Sequence, residues 1–165
     1  MGHSTMPTKP RKWLLAEVER QLVPVLKSSG FAHGKISNPF VKPGTGFPLG
    51  QFRRFREDGT METVEFQFDK SAAPMFRISF AIVPECGAEG LPQHDCVSQS
   101  LEKFYLLCPK RNGHSWFKLP WYQRHTSENT TNYVARLTPI LSEVTGFFDT
   151  GEQGKHVYLF VRSFS

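Results

Sequence analysis

The chain has few cysteines, no long apolar run and no internal repeat across its 165 residues. Its three cysteines, Cys86, Cys96 and Cys108, are too few and odd in number for a disulfide framework, which favours a reducing compartment. No apolar run approaches the roughly 18 residues that a membrane span needs. The N-terminus also lacks the apolar segment of a secretory signal. We therefore predict a cytoplasmic protein that does not enter a membrane.

Signatures of catalysis and metal binding are also missing. There is no G-x-S-x-G elbow, no H-E-x-x-H pair and no phosphate loop ending in G-K-[ST]. His94-Asp95-Cys96 is a tight group of titratable residues, but sequence neighbours rarely point at each other. Structural zinc sites generally pair two short ligand spacings, and Cys86, Cys108 and His114 do not supply the second one. The sequence predicts no metal and no cofactor, and it favours a protein that is not an enzyme.

The residues that are present supply enough apolar bulk for one packed domain. Apolar residues make up 39% of the chain and include 15 phenylalanines. A chain of this size can bury about 70% of the surface that its unfolded form exposes. We predict a flexible N-terminal segment at residues 1–10 and one domain over residues 11–165. The formal charge of +5 allows a nucleic-acid or acidic partner, although it more commonly reflects an ordinary soluble surface.

Residues 51–83 predict an antiparallel β-meander. Three consecutive runs have the composition of strands, at 51–56, 63–68 and 76–82, and the second and third alternate polar and apolar residues. Asp58-Gly59, between the first two runs, is a strong hairpin signal. The second and third runs would turn one set of apolar residues toward a core: Val64, Phe66, Phe68, Ile78 and Phe80. The same alternation predicts that the opposite face of the sheet meets water.

Amphipathic helices are predicted near both ends of the chain. Residues 11–28 and 130–148 place apolar side chains at helical spacing. Pro24 and Pro139 lie inside these segments, and a proline in a helix interior removes a hydrogen bond, so each helix should bend or break there. Gly30 follows the first helix as a C-terminal stop.

Further strands complete the predicted sheet. They lie at residues 101–107, 115–119 and 156–161, with a short edge strand at Phe40-Val41. The last segment could alternatively close the chain as a short helix. Helices and strands are segregated along the chain rather than alternating. The pattern therefore predicts an α+β fold, an antiparallel sheet of about four to six strands covered on one face by the N-terminal and C-terminal helices.

Charged side chains cluster on the polar side of the meander. Glu62 and Glu65 lie on the second run, and arginines lie on the first and third: Arg53, Arg54, Arg56 and Arg77. One interpretation is a set of cross-strand ion pairs, each worth about 0.2–1 kcal/mol. The other is an anion site, because guanidinium groups bind phosphate or carboxylate through two hydrogen bonds. The first run is not cleanly two-faced, which suggests an edge strand or a bulge.

Basic and aromatic residues are interleaved over residues 110–125. The members considered for binding are Lys110, Arg111, Trp116, Lys118, Trp121, Tyr122 and Arg124. Basic groups suit the backbone of single-stranded nucleic acid, and each base that stacks on a ring contributes about 1–3 kcal/mol. The alternative is that the tryptophans are core or loop anchors and that the basic residues are solvated.

The first half of the chain also resembles a known family. The resemblance lies in a helix followed by a glycine–phenylalanine step, an aromatic strand, a turn, a phenylalanine–glutamine strand and a third strand: Leu26, Gly30-Phe31, Phe52, Phe55, Arg56, Gly59, Val64, Phe66-Gln67, Phe76, Ile78 and Phe80. In these residues the chain resembles the bacterial domain-of-unknown-function family numbered 4304, over about residues 12–83. The long loop at 34–50 departs from that pattern. The resemblance implies a small cytosolic α+β domain of a bacterial protein, without catalytic residues to transfer.

Three functional hypotheses follow. The first is a non-enzymatic module that binds a protein partner in an immunity-like or regulatory role, the immunity role being an analogy at the level of the fold. The second is single-stranded nucleic-acid binding through residues 110–125. The third is a small-molecule or hydrolase site between helix and sheet that uses His94, Cys96 or His114. The sequence leaves the oligomeric state open.

Overall fold

The computed structural model describes residues 9–41, 46–109 and 116–162. Within these ranges six strands form one antiparallel sheet in chain order: β1 (Ala32–Gly34), β2 (Gln51–Phe55), β3 (Met61–Phe68), β4 (Phe76–Val83), β5 (Lys103–Leu107) and β6 (Val157–Val161). The α-helices found there are α1 (Lys9–Glu17), α2 (Val23–Ser28), α3 (Ser127–Ala135) and α4 (Thr138–Thr150). The predicted α+β fold with an antiparallel sheet is confirmed. The predicted flexible segment 1–10 lies outside the described residues up to position 8, and α1 already begins at Lys9.

The predicted meander is confirmed in all three strands. Phe52 pairs with Val64, and Val64 pairs with Phe80. Gly59, in the turn between β2 and β3, has a φ of +85°, a conformation that glycine adopts without steric cost. The residues expected to face the core are each exposed by 1% or less: Val64, Phe66, Phe68, Ile78 and Phe80. They pack with buried side chains of α1, α2, α3 and α4 in one cluster, so the helices cover a single face of the sheet, called here the helix face.

Both prolines break their helices, as predicted. A π-helical segment, Val18–Leu22, separates α1 from α2, and the Val23 N–H donates back to the Val18 carbonyl. Pro24 then lies in the first turn of α2, directly after the π-helical segment, so the helical hydrogen-bond pattern changes just before the residue that cannot donate to it. Pro139 lies in the first turn of α4, after the gap that separates α4 from α3.

The predicted helix stop at Gly30 is confirmed by its hydrogen bonds. The Gly30 N–H donates to the Lys27 carbonyl (3.0 Å), and the Phe31 N–H donates to the Leu26 carbonyl (3.1 Å). Gly30 has a φ of +96°. This is a Schellman motif, which needs a left-handed residue at this position.

Three predictions about strands are wrong. Phe40-Val41 is not a strand; β1 forms the edge instead, so β2 lies inside the sheet between β1 and β3. Residues 116–119 form no returning strand beside β5. Phe117 makes one antiparallel bridge to Phe76, and β6 occupies the place next to β5. Residues 110–115, which connect the predicted strands at 101–107 and 115–119, lie outside the described residues.

The prediction that the second face of the sheet meets water is wrong for β3. All eight residues of β3 are buried. Residues 84–102, which connect β4 to β5 and are called here the covering loop, lie over that face. They complete a second apolar cluster: Met61, Ala81, Val83, Cys96, Leu101, Phe104, Leu106 and Cys108. The sheet is therefore closed on both sides, by helices on the helix face and by the covering loop on the loop face.

The covering loop needs a glycine at one turn. Gly87 has a φ of +79°, and a Cβ at that position would collide with the Leu91 carbonyl. Separately, no helix of the described ranges is long and apolar enough to cross a bilayer.

Candidate functional site

Arg54, one of the four arginines predicted to bind, fastens two helices to the sheet. Its Nε donates to Glu62 Oε1 (2.5 Å) and its Nη1 donates to the Ser29 carbonyl at the end of α2 (2.7 Å). Its Nη2 lies 3.0 Å from Asp149 Oδ1 near the end of α4. The hydrogen bond to Glu62 raises the pKa of Arg54. A cation at the end of a helix also offsets the negative end of its dipole, so Arg54 is a structural clamp.

Arg53 and Arg56 are also occupied by contacts within the chain. Arg56 Nη2 donates to the Phe148 carbonyl in α4 (2.9 Å). Arg53 Nε donates to Gln51 Oε1 (2.7 Å), and its Nη2 donates to the His94 carbonyl in the covering loop (2.8 Å). Contacts with the covering loop and with α4 therefore hold the side chains of Arg53 and Arg56 within the chain.

Glu65 is fully buried on the loop face and does not form the predicted ion pair with an arginine. Its Oε1 accepts hydrogen bonds from Thr63 Oγ1 (2.7 Å), the Ser98 N–H (3.0 Å) and Gln51 Nε2 (3.2 Å). Its Oε2 accepts from Ser98 Oγ (2.5 Å) and Ser79 Oγ (3.4 Å). Burial raises the pKa of Glu65, although the hydrogen bonds act in the opposite direction.

The network around Glu65 is saturated. No buried side-chain nitrogen or oxygen of the described residues lacks a hydrogen-bond partner. Ser98 belongs to the covering loop, and the Cys96 carbonyl of the same loop accepts from Gln51 Nε2 (2.7 Å). Glu65 therefore ties the covering loop to the sheet and offers no free group to a ligand.

Four of the predicted binding residues do meet at one place. Trp116, Lys118, Trp121 and Tyr122 line a cavity of about 650 Å³, called here the aromatic pocket. Cavities of about 300–1,000 Å³ with a mainly apolar lining and few polar groups are the usual form of small-ligand and anchor-residue sites. The aromatic pocket is accordingly the candidate functional site.

Backbone pairing with β4 positions the wall of the pocket. The Phe117 N–H donates to the Phe76 carbonyl (2.6 Å), and the Phe76 N–H donates back (3.1 Å). The two rings stack with centroids 5.3 Å apart, so Phe117 belongs to the core of the helix face. In an extended segment neighbouring side chains point to opposite sides, which turns Trp116 and Lys118 away from that core.

Arg77 lies against one wall of the aromatic pocket. Its guanidinium carbon lies 5.1 Å from the centroid of the Trp116 ring, a cation–π contact. Its Nε donates to Gln67 Oε1 (2.5 Å), which also accepts from Gln99 Nε2 (2.7 Å). Burial lowers the pKa of Arg77. Arg77 is thus held behind one tryptophan of the pocket.

The outer rim carries two strongly exposed aromatic side chains, one of them the most exposed aromatic residue described. Trp121 is 94% exposed and Tyr122 is 69% exposed, with their rings 5.9 Å apart and nearly perpendicular. Lys118 is also exposed. Arg124 is exposed but does not belong to the lining. Lys110, Arg111 and His114 lie outside the described residues.

Sequence reasoning missed five of the nine lining residues, and three of the five come from outside residues 110–125. The missed residues are Met75, Pro109, Leu119, Pro120 and Tyr133. Tyr133 belongs to α3 and counted only toward the apolar stripe of that helix. Burial raises its pKa to about 12, with a hydrogen bond from the Lys118 backbone acting the other way. Pro120 did indicate that the chain is extended at Leu119, because a proline favours an extended backbone in the residue before it.

Of the residues suggested for a site between helix and sheet, His94 and Cys96 are described, and neither lies between a helix and the sheet. Cys96 is buried on the loop face, where desolvation raises the pKa of its thiol. His94 lies in the covering loop, with its Nε2 3.5 Å from Asp95 Oδ1. No group of three or more potential metal ligands occurs among the described residues. A second cavity, of about 410 Å³, includes the exposed Phe40 in its lining.

Comparisons of the chain with protein-family models, curated proteins and solved structures gave no match. The resemblance to the bacterial family numbered 4304 therefore stays a prediction.

Proposed function

We propose that the chain is a binding module that recognises a short extended segment of a protein partner in the aromatic pocket. The observation that supports this proposal most directly is Trp121, a tryptophan almost fully exposed on the rim of a preformed apolar cavity. Tryptophan and tyrosine are enriched among the residues that dominate binding energy at protein interfaces. An immunity-like or regulatory role would use such a surface.

The chemistry of the lining favours a peptide with an apolar anchor. Two prolines and four aromatic residues surround the cavity, and grooves lined by aromatic side chains bind extended, proline-rich segments that lose little entropy on docking. Lys118 is the one charged residue of the described lining. We expect an acidic side chain of the partner to lie beside it.

Single-stranded nucleic acid is the second candidate, and the geometry of Trp116 favours it specifically. Arg77 stacks against the Trp116 ring, and the Trp116 side chain also lines the pocket. A base stacked on Trp116 would lie near the charge of Lys118. A single lysine in the described lining predicts little counterion release, so the peptide is the better-supported ligand.

Selection from a displayed library of random short peptides tests both candidates. The wild-type chain is the only target during selection, and the affinity of each selected peptide is then measured for the variant Trp121→Ala. The matched control is Phe40→Ala, which removes an aromatic ring that is 83% exposed at the other cavity. We expect peptides with an apolar or proline core and an acidic residue, retained by Phe40→Ala and lost by Trp121→Ala.

Oligothymidylate titrations at low and physiological salt, followed by tryptophan fluorescence, form the second arm. Binding that weakens steeply with salt and disappears in Trp116→Ala would replace the peptide hypothesis with the nucleic-acid one. Peptides that bind Trp121→Ala as tightly as the wild type would overturn the assignment of the pocket.

A further inference from the structure

Strand β6 ends the described sheet with an apolar edge. It pairs with β5, and no other described strand lies beside it. Leu159, Phe160 and Val161 are 47%, 45% and 50% exposed, and no charged residue occurs from Val157 to Val161. Proteins usually protect an edge with charges, prolines or a very short strand. The opposite edge, β1, has only three residues, whereas β6 carries none of these protections.

Hydrogen bonds around β6 show which backbone groups point outward. The Arg162 N–H donates to the Glu102 carbonyl, and the His156 carbonyl accepts from the Cys108 N–H. Even-numbered residues of the strand therefore direct their backbone groups toward β5. Groups of alternate residues point to opposite sides of an antiparallel strand, so those of Leu159 and Val161 point to the open side.

The strand sequence matches itself when it is reversed. Val157 to Val161 reads valine, aromatic, leucine, aromatic, valine in either direction. A two-fold axis at Leu159 would pair two antiparallel copies of β6 with leucine on leucine, valine on valine and Tyr158 on Phe160. A contact of this kind presents the same patch from both copies and closes after two of them.

We propose that a second copy of this chain pairs with β6 in antiparallel fashion, so that two sheets form one continuous sheet. At the axis, the Leu159 N–H of each copy donates to the Leu159 carbonyl of the other. The Val161 N–H donates to the Val157 carbonyl of the second copy in the same way. The Val157 N–H is not required, since it donates to the Gly154 carbonyl of its own chain (3.1 Å).

Side chains on both faces of the strand fit this register. Val157 belongs to the helix-face cluster, so Leu159 and Val161 continue an aliphatic row on that side. On the loop face, Phe160 packs on Phe104 with ring centroids 4.9 Å apart, and an aromatic residue of the second copy would extend this stack. Cross-strand aromatic and β-branched pairs are favourable in sheets.

At the ends of the strand, His156 lies opposite Arg162 of the second copy. Both side chains are held within their own chain, His156 by Glu143 (2.5 Å between Nδ1 and Oε2) and Arg162 by the Gln99 carbonyl, so the contact does not depend on them. Two five-residue strands bury less than the roughly 800 Å² per partner of a standard interface. We expect a weak dimer, with a dissociation constant on the order of 10 μM.

Sedimentation equilibrium over a range of chain concentrations tests the dimer. We expect the average mass of the wild type to rise toward that of two chains. Leu159→Lys places two like charges at the axis and should weaken the dimer by about tenfold or more. Phe40→Lys introduces the same charge at another exposed ring and should leave the dimer unchanged. A wild type that stays monomeric well above 10 μM would overturn the proposal, as would equal weakening by both variants.

A cysteine cross-link tests the register itself, in a Cys86→Ser background that removes the exposed native thiol. Leu159→Cys should form an intermolecular disulfide under mild oxidation, because facing residues of a hydrogen-bonded pair have Cα atoms about 5.5 Å apart. Phe160→Cys should cross-link far more slowly, since its opposite residue is Tyr158. Equal rates for the two variants would contradict the register. No residue of the aromatic pocket takes part, so failure here leaves the proposed function standing.

Discussion

The two faces of the sheet are buried by different chemistry. The helix face is filled by phenylalanine, leucine and valine, whose burial is favourable in almost any direction of contact. The loop face combines an apolar cluster with the hydrogen bonds of Glu65, which require particular atoms at particular distances. One alternating strand can therefore contribute to a core held by non-directional apolar packing on one side and to a network held by hydrogen bonds of fixed geometry on the other.

The loop face depends on hydrogen bonds between residues that are far apart in sequence. Gln51 and Glu65 bind residues of the covering loop that lie more than 30 positions away in sequence. A typical hydrogen bond contributes about 0.5–1.5 kcal/mol net, but a buried group left without its partner costs about 1–3 kcal/mol. Substitutions on the loop face should therefore lower the free energy of unfolding according to the number of hydrogen bonds lost. Substitutions on the helix face should lower it according to the side-chain volume removed.

The largest expected effect is on the helix face. Phe66→Ala removes a fully buried ring that contacts Phe52 and Phe76, and such truncations cost about 3–5 kcal/mol. Urea denaturation of the variant should show that loss in the free energy of unfolding. Phe40→Ala, the exposed control, should change stability by less than about 0.5 kcal/mol. Similar values for the two variants would contradict the assignment of this core.

An intermediate effect is expected where the covering loop joins the sheet. Ser98→Ala removes the hydroxyl that donates to Glu65 Oε2 and should destabilise the fold by about 1–3 kcal/mol. Hydrogen exchange should locate the loss in residues 84–102 and in β3. The exposed Ser142→Ala, whose hydroxyl bonds a carbonyl of its own helix, is the control. Unchanged stability of Ser98→Ala would mean that the network does not hold the loop.

The smallest effect distinguishes the faces by pH. Burial raises the pKa of Glu65 above its ordinary value of 4.5, so the folded chain holds this proton more tightly than the unfolded chain does. The stabilisation that this provides is complete below the unfolded pKa and is lost as pH rises through the folded one. Glu65→Gln cannot titrate, and its Nε2 can donate to the hydroxyls of Ser98 and Ser79.

Urea midpoints measured from acid to neutral pH should therefore diverge in favour of Glu65→Gln as pH rises. Phe66→Ala measured alongside should keep a constant difference from the wild type, because it removes no titratable group. A Glu65→Gln difference that is also constant, or that shrinks with pH, would show that burial does not raise the pKa of Glu65.

Local signals were enough to predict the three strands of the meander and the helix breaks. Alternation assigned Phe66 and Phe80 to one face, since side chains in a strand point to opposite sides by geometry. Pro24 and Pro139 mark breaks because each lacks an N–H, whatever the rest of the fold does. Gly30 is predictable for a similar reason, as its left-handed backbone is a local requirement.

Contacts distant in sequence were not predictable in this way. The alternation of β3 is the same whether Glu65 meets water or the covering loop, so periodicity alone could not show its burial. Arg54 and Arg56 were visible as charges, but their partners include backbone carbonyls at helix ends, which no side-chain pattern reveals. The aromatic pocket was half visible, because Trp116 and Trp121 are close in sequence whereas Tyr133 arrives from α3.

The uneven placement of the three cysteine thiols provides a way to time local opening of the molecule. The side chains of Cys96, in the covering loop, and Cys108, just after β5, are both buried in the loop-face cluster, whereas Cys86 is exposed and no cysteine belongs to the helix-face cluster. A thiol-reactive dye would label Cys86 at once and would reach the other two cysteines only when the covering loop opens. The labelling rate of the two buried thiols would report how often the covering loop opens while the helix face stays folded.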